Sequence, residues 1–165
     1  MILIALGSNL GSGVGTPAQT MRAALVELSR RGVELLAVSR FFATPAWPDP
    51  SEPSFVNAVS SVRTELLPNA LLEQLHATEQ RFGRERGVRN APRTLDLDIL
   101  DYEGRIEFGS PELPHPRLDG RAFVLIPMRD IAPDWRHPAT GKSLGELIAA
   151  LPAAERKGVK PLREV

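Results

Sequence analysis

The chain has 165 residues, with 20 basic and 20 acidic side chains, zero formal net charge and no cysteine. Its 42% hydrophobic and 24% charged content is ordinary for a globular protein, and the length suits one domain with its own core. No global field draws it to nucleic acid or membrane, disulfide and thiolate chemistry are excluded, and no apolar run matches a membrane span or signal peptide, so a cytoplasmic protein is expected.

Residues 2–6 are a short apolar run ended by Gly7-Ser8-Asn9 and read as a buried strand. Glycines 11, 13 and 15 imitate a dinucleotide fingerprint, but the third glycine of that pattern falls on Thr16. Thr16-Pro17-Ala18-Gln19 is a helix start instead, with a threonine cap, proline at the first helical position and glutamine three residues after the cap. Met21, Ala24, Leu25 and Leu28 carry its apolar stripe, and Arg30-Arg31-Gly32 closes it. Residues 33–43 read as one strand, 44–53 as a proline-rich loop, and 55–64 as a strand with Phe55 and Asn57 on one face. Pro68 opens a second helix with the stripe Leu71, Leu72, Leu75 and Phe82, ending at Gly83. Glu79 falls beside that stripe, either as a surface carboxylate or as an acceptor for a ligand.

The stretch Pro92-Arg93-Thr94-Leu95-Asp96-Leu97-Asp98-Ile99-Leu100 alternates with period two. On a strand, Leu95, Leu97 and Ile99 take one face, and Asp96 and Asp98, roughly 6.5 Å apart along the backbone, take the other. Two carboxylates so placed can converge on hard cations such as Mg²⁺. The ten residues 84–93 hold Arg84, Arg86, Arg89 and Arg93 against the single acid Glu85, which suits phosphate. An exposed strand with self-neutralising charges would show the same pattern.

Residues 102–105 read as a hairpin turn into 106–108, and 121–126 as an apolar segment helical at one end. Residues 133–165 read as a proline-rich C-terminal extension of the same domain, with a helix at 144–151. Gly141-Lys142-Ser143 imitates a P-loop end, but the glycine required upstream is Arg136. The order strand–helix–strand–strand–helix–strand predicts an α+β fold with a ferredoxin-like βαββαβ core. Its sheet would be mainly antiparallel with flanking helices, one face being left for a ligand or extra cover. That plan serves many functions.

Several signals in fixed order narrow the reading: Gly7-Ser8-Asn9-Leu10, Thr44-Pro45, Phe55-x-Asn57, Glu79-x-x-x-Gly83-Arg84, Arg93-Thr94-Leu95-Asp96-Leu97-Asp98-Ile99, Pro114-His115 and Arg121-x-Phe123. Over about residues 2–135 this set resembles the 6-hydroxymethyl-7,8-dihydropterin pyrophosphokinases of folate biosynthesis. The resemblance implies transfer of pyrophosphate from ATP, the co-substrate, to the hydroxymethyl group of the pterin, leaving AMP. It implies that Asp96 and Asp98 bind two Mg²⁺ ions and that Arg84 and Arg93 stabilise the transferring group. Arg86, His115 and Arg121 would hold the other phosphates, Glu79 the nucleoside, and the backbone at Ile99 the adenine. Phe55 and Phe123 would stack on the pterin, Asn57 would read its edge, and Thr44, Pro45 and Trp47 would line it.

Where family members often carry an aromatic and a glycine, this chain has Asn90-Ala91. Trp47 is expected to cover the pterin instead, so that Trp47→Ala raises the pterin KM. His76 and Ser110 replace residues that bear on nucleotide affinity in relatives. A two-metal nucleotidyl transferase or nuclease would explain the acids and arginines but not Phe55, Asn57 and Phe123. An RNA-binding module would want a basic domain, which zero net charge denies. A monomer acting on small molecules is expected, with no nucleic-acid or membrane partner.

Overall fold

The computed structural model describes residues 1–46, 49–51, 54–83 and 94–163; Trp47, Arg84, Arg86, Arg93 and Asn90 lie outside the described residues. Strand β1 (Ile2–Ser8) leads to helix α1 (Pro17–Arg30), which starts on the anticipated capping box. Gln19 N–H donates to Thr16 Oγ1, and Thr16 N–H donates to Gln19 Oε1. Gly32 follows at φ +84°, the left-handed turn that a β-carbon would strain.

The single strand expected over 33–43 is two, β2 (Glu34–Val38) and β3 (Phe42–Thr44), both antiparallel to β4 (Phe55–Arg63). Ser39 bridges the break. Its N–H donates to Val59 O, and its hydroxyl accepts from Val59 N–H while donating to Arg40 O. A side chain thus stands in for a carbonyl, and the β4 ladder stays satisfied although the strand bends.

Helix α2 (Pro68–Arg81) is followed by β5 (Asp96–Tyr102), then by the short strands β6 (Glu107–Phe108) and β7 (Glu112–Leu113). The hairpin expected after β5 is corrected: β6 pairs with β7 rather than with β5. The outer edge of β5 is taken by the next segment, where His115 N–H donates to Leu100 O. A 3₁₀ turn at Leu118–Gly120 leads into α3 (Ala122–Ile131), α4 (Leu144–Ala149), α5 (Ala153–Gly158) and β8 (Lys160–Pro161).

The main sheet runs β5-β1-β4-β3-β8, with β2 also beside β4, and its pairings are antiparallel. This is the ferredoxin-like βαββαβ plan with its second strand split. Helices α1 and α2 cover one face, where Met21, Leu28, Leu71 and Leu75 meet Ile4, Leu6, Leu97 and Ile99. Helices α3 and α4 cover part of the other, over Leu3, Phe42, Val59 and Leu100. The tail returns to the sheet through β8, and Leu162 N–H donates to Phe41 O.

The alternation read along β5 holds as far as Ile99. There the register against β1 shifts between Leu3 and Ile4, so two residues of β5 oppose one. The bulge sends Tyr102 to the core beneath α1 and α2, while Asp101 accepts from Trp135 Nε1 at 2.8 Å and from Gly104 N–H at 2.9 Å. A carboxylate within the sheet is satisfied in this way by the extension and the turn.

Candidate active site

Pair register assembles the site. Asn57 and Asp96 both lie opposite Gly7, on β4 and β5 respectively, and Phe42 lies opposite Asn57. One step down, Val59 and Asp98 both oppose Ala5; one step up, Thr44 opposes Phe55. Directly opposed residues share a face. Asp96, Asp98, Asn57, Phe55 and Thr44 therefore stand on the face that α3 covers only in part. Because Gly7 has no side chain, a trough about 10 Å wide, two strand spacings, opens between Asn57 and Asp96. A β-carbon at Gly7 would lie 3.0 Å from Asn57 Oδ1. Glycine inside a strand pattern is itself a sign of close approach, which reading Gly7 only as a strand end overlooks.

Asn57 is buried, and its Nδ2 donates to the buried Thr44 Oγ1 at 3.0 Å, which fixes the amide with its oxygen above Gly7. With Asn57 reading the pterin edge, as the resemblance implies, Gly7→Ala is expected to push that oxygen aside and raise the pterin KM about tenfold, with the ATP KM within about twofold. Steady-state kinetics with each substrate varied in turn checks this. Pro45 is exposed beyond Thr44, and Phe55 is half-buried at the head of β4.

His115 reaches the acids from the segment after β7. Its Nδ1 accepts from Arg117 N–H at 3.2 Å, so the neutral ring carries its proton on Nε2, which lies 3.9 Å from Asp98 Oδ1. Burial, then Arg121 and Arg117, push its pKa down to about 4 against the pull of Asp96. The pair is therefore a neutral N–H facing a carboxylate at neutral pH rather than an ion pair. The unfolded chain protonates this ring near pH 6.5 and the native chain only near 4. Stability from this residue is thus complete above pH 6.5 and is lost as pH falls toward 4. In metal-free buffer, the urea midpoint of His115→Asn is expected to fall less than that of the wild type between pH 7 and 4.5.

Arg121 caps α3, and its guanidinium carbon lies 5.5 Å from the centre of the Phe123 ring, which is 37% exposed. Glu79 is not a surface carboxylate. It is buried on α2, and its Oε2 accepts from Leu97 N–H at 2.9 Å, tying the helix to β5 between the two aspartates. Ile99 turns its side chain into the core, so only its backbone could face a ligand, on a strand paired with β1 on one side. Ser8 hydroxyl donates to Thr94 O, tying the end of β1 to the start of β5.

Asp96 and Asp98 are half-buried. Among the described residues no group of three or more His, Cys, Asp or Glu side chains is arranged to hold a metal ion by itself. Two carboxylates facing an open trough fit Mg²⁺, which takes one or two protein carboxylates and completes its shell with water and substrate phosphate.

Residues 3–133 match the family described as 7,8-dihydro-6-hydroxymethylpterin-pyrophosphokinase (HPPK). The chain is 41% identical over 153 residues to the 2-amino-4-hydroxy-6-hydroxymethyldihydropteridine pyrophosphokinase of Pseudomonas aeruginosa, covering 92% of this chain and 91% of that one. It is 38% identical over 141 residues to the protein of the same name from Synechocystis, covering 84% and 72%. In fold it is similar to a Plasmodium falciparum HPPK-DHPS crystal structure, with TM-score 0.66 at 11% identity. That match covers 90% of this chain and 44% of the longer one. The match along most of its length, and relatives aligned over most of theirs, make this chain a member of the 7,8-dihydro-6-hydroxymethylpterin-pyrophosphokinase family.

Proposed function

We propose that the trough between Asn57 and Asp96 is where this chain carries out its family's reaction, with Mg²⁺ held by Asp96 and Asp98. In that reaction pyrophosphate passes from ATP to the hydroxymethyl group of 6-hydroxymethyl-7,8-dihydropterin, giving AMP and the pterin diphosphate, in folate biosynthesis. The observation that carries the reading is the shared row: Gly7 faces Asn57 on one side and Asp96 on the other.

Several of these residues have surroundings that suit the role assigned to them. Asn57, held by Thr44, offers a fixed amide to the polar edge of a flat heterocycle. Phe55 and Phe123 stack on its faces. The hydroxymethyl oxygen loses its proton to solvent and forms a bond to the β-phosphorus as the bond from that phosphorus to the α-phosphate bridging oxygen breaks, its electron pair leaving with AMP. Asp96 and Asp98 would hold two Mg²⁺ ions, which when bound would neutralise the triphosphate and acidify the attacking hydroxyl. His115, kept neutral, donates Nε2–H to a phosphate oxygen, and Arg121 adds a fixed positive charge beside it. The backbone at Ile99 borders the nucleoside and Pro45 the pterin; Glu79, buried on α2 and bonded to Leu97 N–H, is assigned to the nucleoside from the sequence pattern. Arg84, Arg86, Arg93 and Trp47 are assigned from the sequence pattern: the arginines to phosphate, Trp47 to covering the pterin.

Residues 1–165 form one domain on this reading, acting as a monomer in the cytoplasm. Among the described residues no helix is long and apolar enough to cross a membrane. Purified protein supplied with ATP, Mg²⁺ and hydroxymethyldihydropterin should release AMP in step with pterin diphosphate, and ADP release instead would reject the reading.

A further inference from the structure

The helical side of the molecule, across the sheet from the trough, carries a cavity of about 630 Å³. Its walls come from the 12–14 loop, one side of α1 and the end of α2 at Phe82 and Gly83. On α1 the lining residues are Ala23, Val26, Glu27 and Arg30, spaced i, i+3, i+4, i+7. This is a second stripe beside the one that faces the core through Met21, Ala24, Leu25 and Leu28. The core has no use for it. Val14 is 53% and Val26 55% exposed, so the apolar wall stands open to solvent.

One end of this wall is strongly cationic. Glu27, largely buried, lies 3.0 Å from Arg31 Nε, 3.4 Å from Arg81 Nε and 3.9 Å from an Arg30 guanidinium nitrogen. Among the described residues, three guanidiniums around one carboxylate leave a local excess of two positive charges, and Glu27 is the only acid lining the cavity. Arg31 is also engaged by Gln74. Arg30 and Arg81 keep side chains 71% and 60% exposed, free to bend toward a further anion. Exposed ion pairs alone add little to stability, so a crowd of cations beside an apolar wall is poorly explained as scaffolding. The volume falls within the range of small-molecule sites.

We propose that this cavity is a second small-molecule site, taking an amphiphilic organic anion: an apolar body against Val14, Val26 and Phe82, and a carboxylate, sulfonate or phosphate head between Arg30 and Arg81. The inference rests on these walls and not on the trough. An occupant would touch two segments at once. The loop wall is a closed turn, with reciprocal backbone bonds between Ser12 and Gly15 and a hydroxyl contact from Ser12 to Thr20. The other wall ends at Gly83, at φ +84°, where the chain leads into the arginine-rich stretch. Binding there reaches the segment before Arg84 without entering the pterin or nucleotide positions.

The test is a fluorescence titration of the full chain with 1-anilinonaphthalene-8-sulfonate, an aromatic sulfonate. The expected result is saturable 1:1 binding, unaffected by a saturating non-hydrolysable ATP analogue and pterin. It should be weakened about tenfold by Val26→Glu, which charges the apolar wall, and several-fold by Arg81→Gln. Both side chains are exposed, and circular dichroism verifies that the variants fold. Non-saturable binding, displacement by the substrates, or equal affinity in both variants would overturn the proposal.

Discussion

Replacing Asp96 and Asp98 together by asparagine is expected to lower kcat by about 10³-fold or more, while thermal stability holds or rises. The side chains keep their size and half-buried positions, so packing is preserved. What changes is charge. Two carboxylates on one face of one strand repel each other without a cation, so neutralising them relieves the folded protein. On the proposed reading the same charges would hold the cations that position the triphosphate and neutralise it, and such electrostatic contributions are commonly the largest in phosphoryl transfer. Stability kept or gained while turnover collapses separates this account from one in which the acids merely solvate a strand. Steady-state AMP release and a thermal melt of the same preparation read both.

Ending the chain after Ala132 is expected to abolish cooperative folding, although the family match stops at residue 133. Trp135, Leu144, Leu147, Ile148 and Leu151 are all buried against the sheet face that also carries the site. Each contributes about 1.5–3 kcal/mol by burial, and together they rival the 5–15 kcal/mol total typical of a domain. The truncation also strips Asp101 of its bond from Trp135 and β3 of its neighbour β8, leaving a buried carboxylate with one fewer donor. A melt with no cooperative transition is the expected outcome. A truncated chain melting within a few degrees of the full one would show that the extension is an independent appendage.

What could be read in the sequence was what local rules decide. The capping box at Thr16 and Gln19, the glycine after α1 and the alternation of Asp96 and Asp98 depend on residues within a few positions of each other, and each is found in place. The shared face of Phe55 and Asn57 likewise follows from strand period alone. What stayed hidden depends on partners far along the chain. No pattern within residues 33–43 reveals that Ser39 will borrow Val59 and break the strand. The bulge before Asp101 needs β1 as its ruler, and the hydrogen bond that satisfies Asp101 comes from Trp135, 34 residues on. Glu79 shows the same limit. Spacing puts it at the edge of an apolar stripe, but only the packing of α2 on β5 decides that it is buried and bound to Leu97 N–H.

The trough also explains why a small residue ends the first strand's inward face. Any side chain at Gly7 would stand between the Asn57 amide and the Asp96 carboxylate. Asn57, Asp96 and Asp98 are thus placed by three adjacent antiparallel strands.

The most direct test is a crystal grown with a non-hydrolysable ATP analogue and Mn²⁺ in place of Mg²⁺, read by anomalous scattering. Two manganese peaks are expected, bridged to phosphate oxygens and within about 2.2 Å of carboxylate oxygens of Asp96 and Asp98. A nucleotide bound with its manganese away from both side chains would contradict the account.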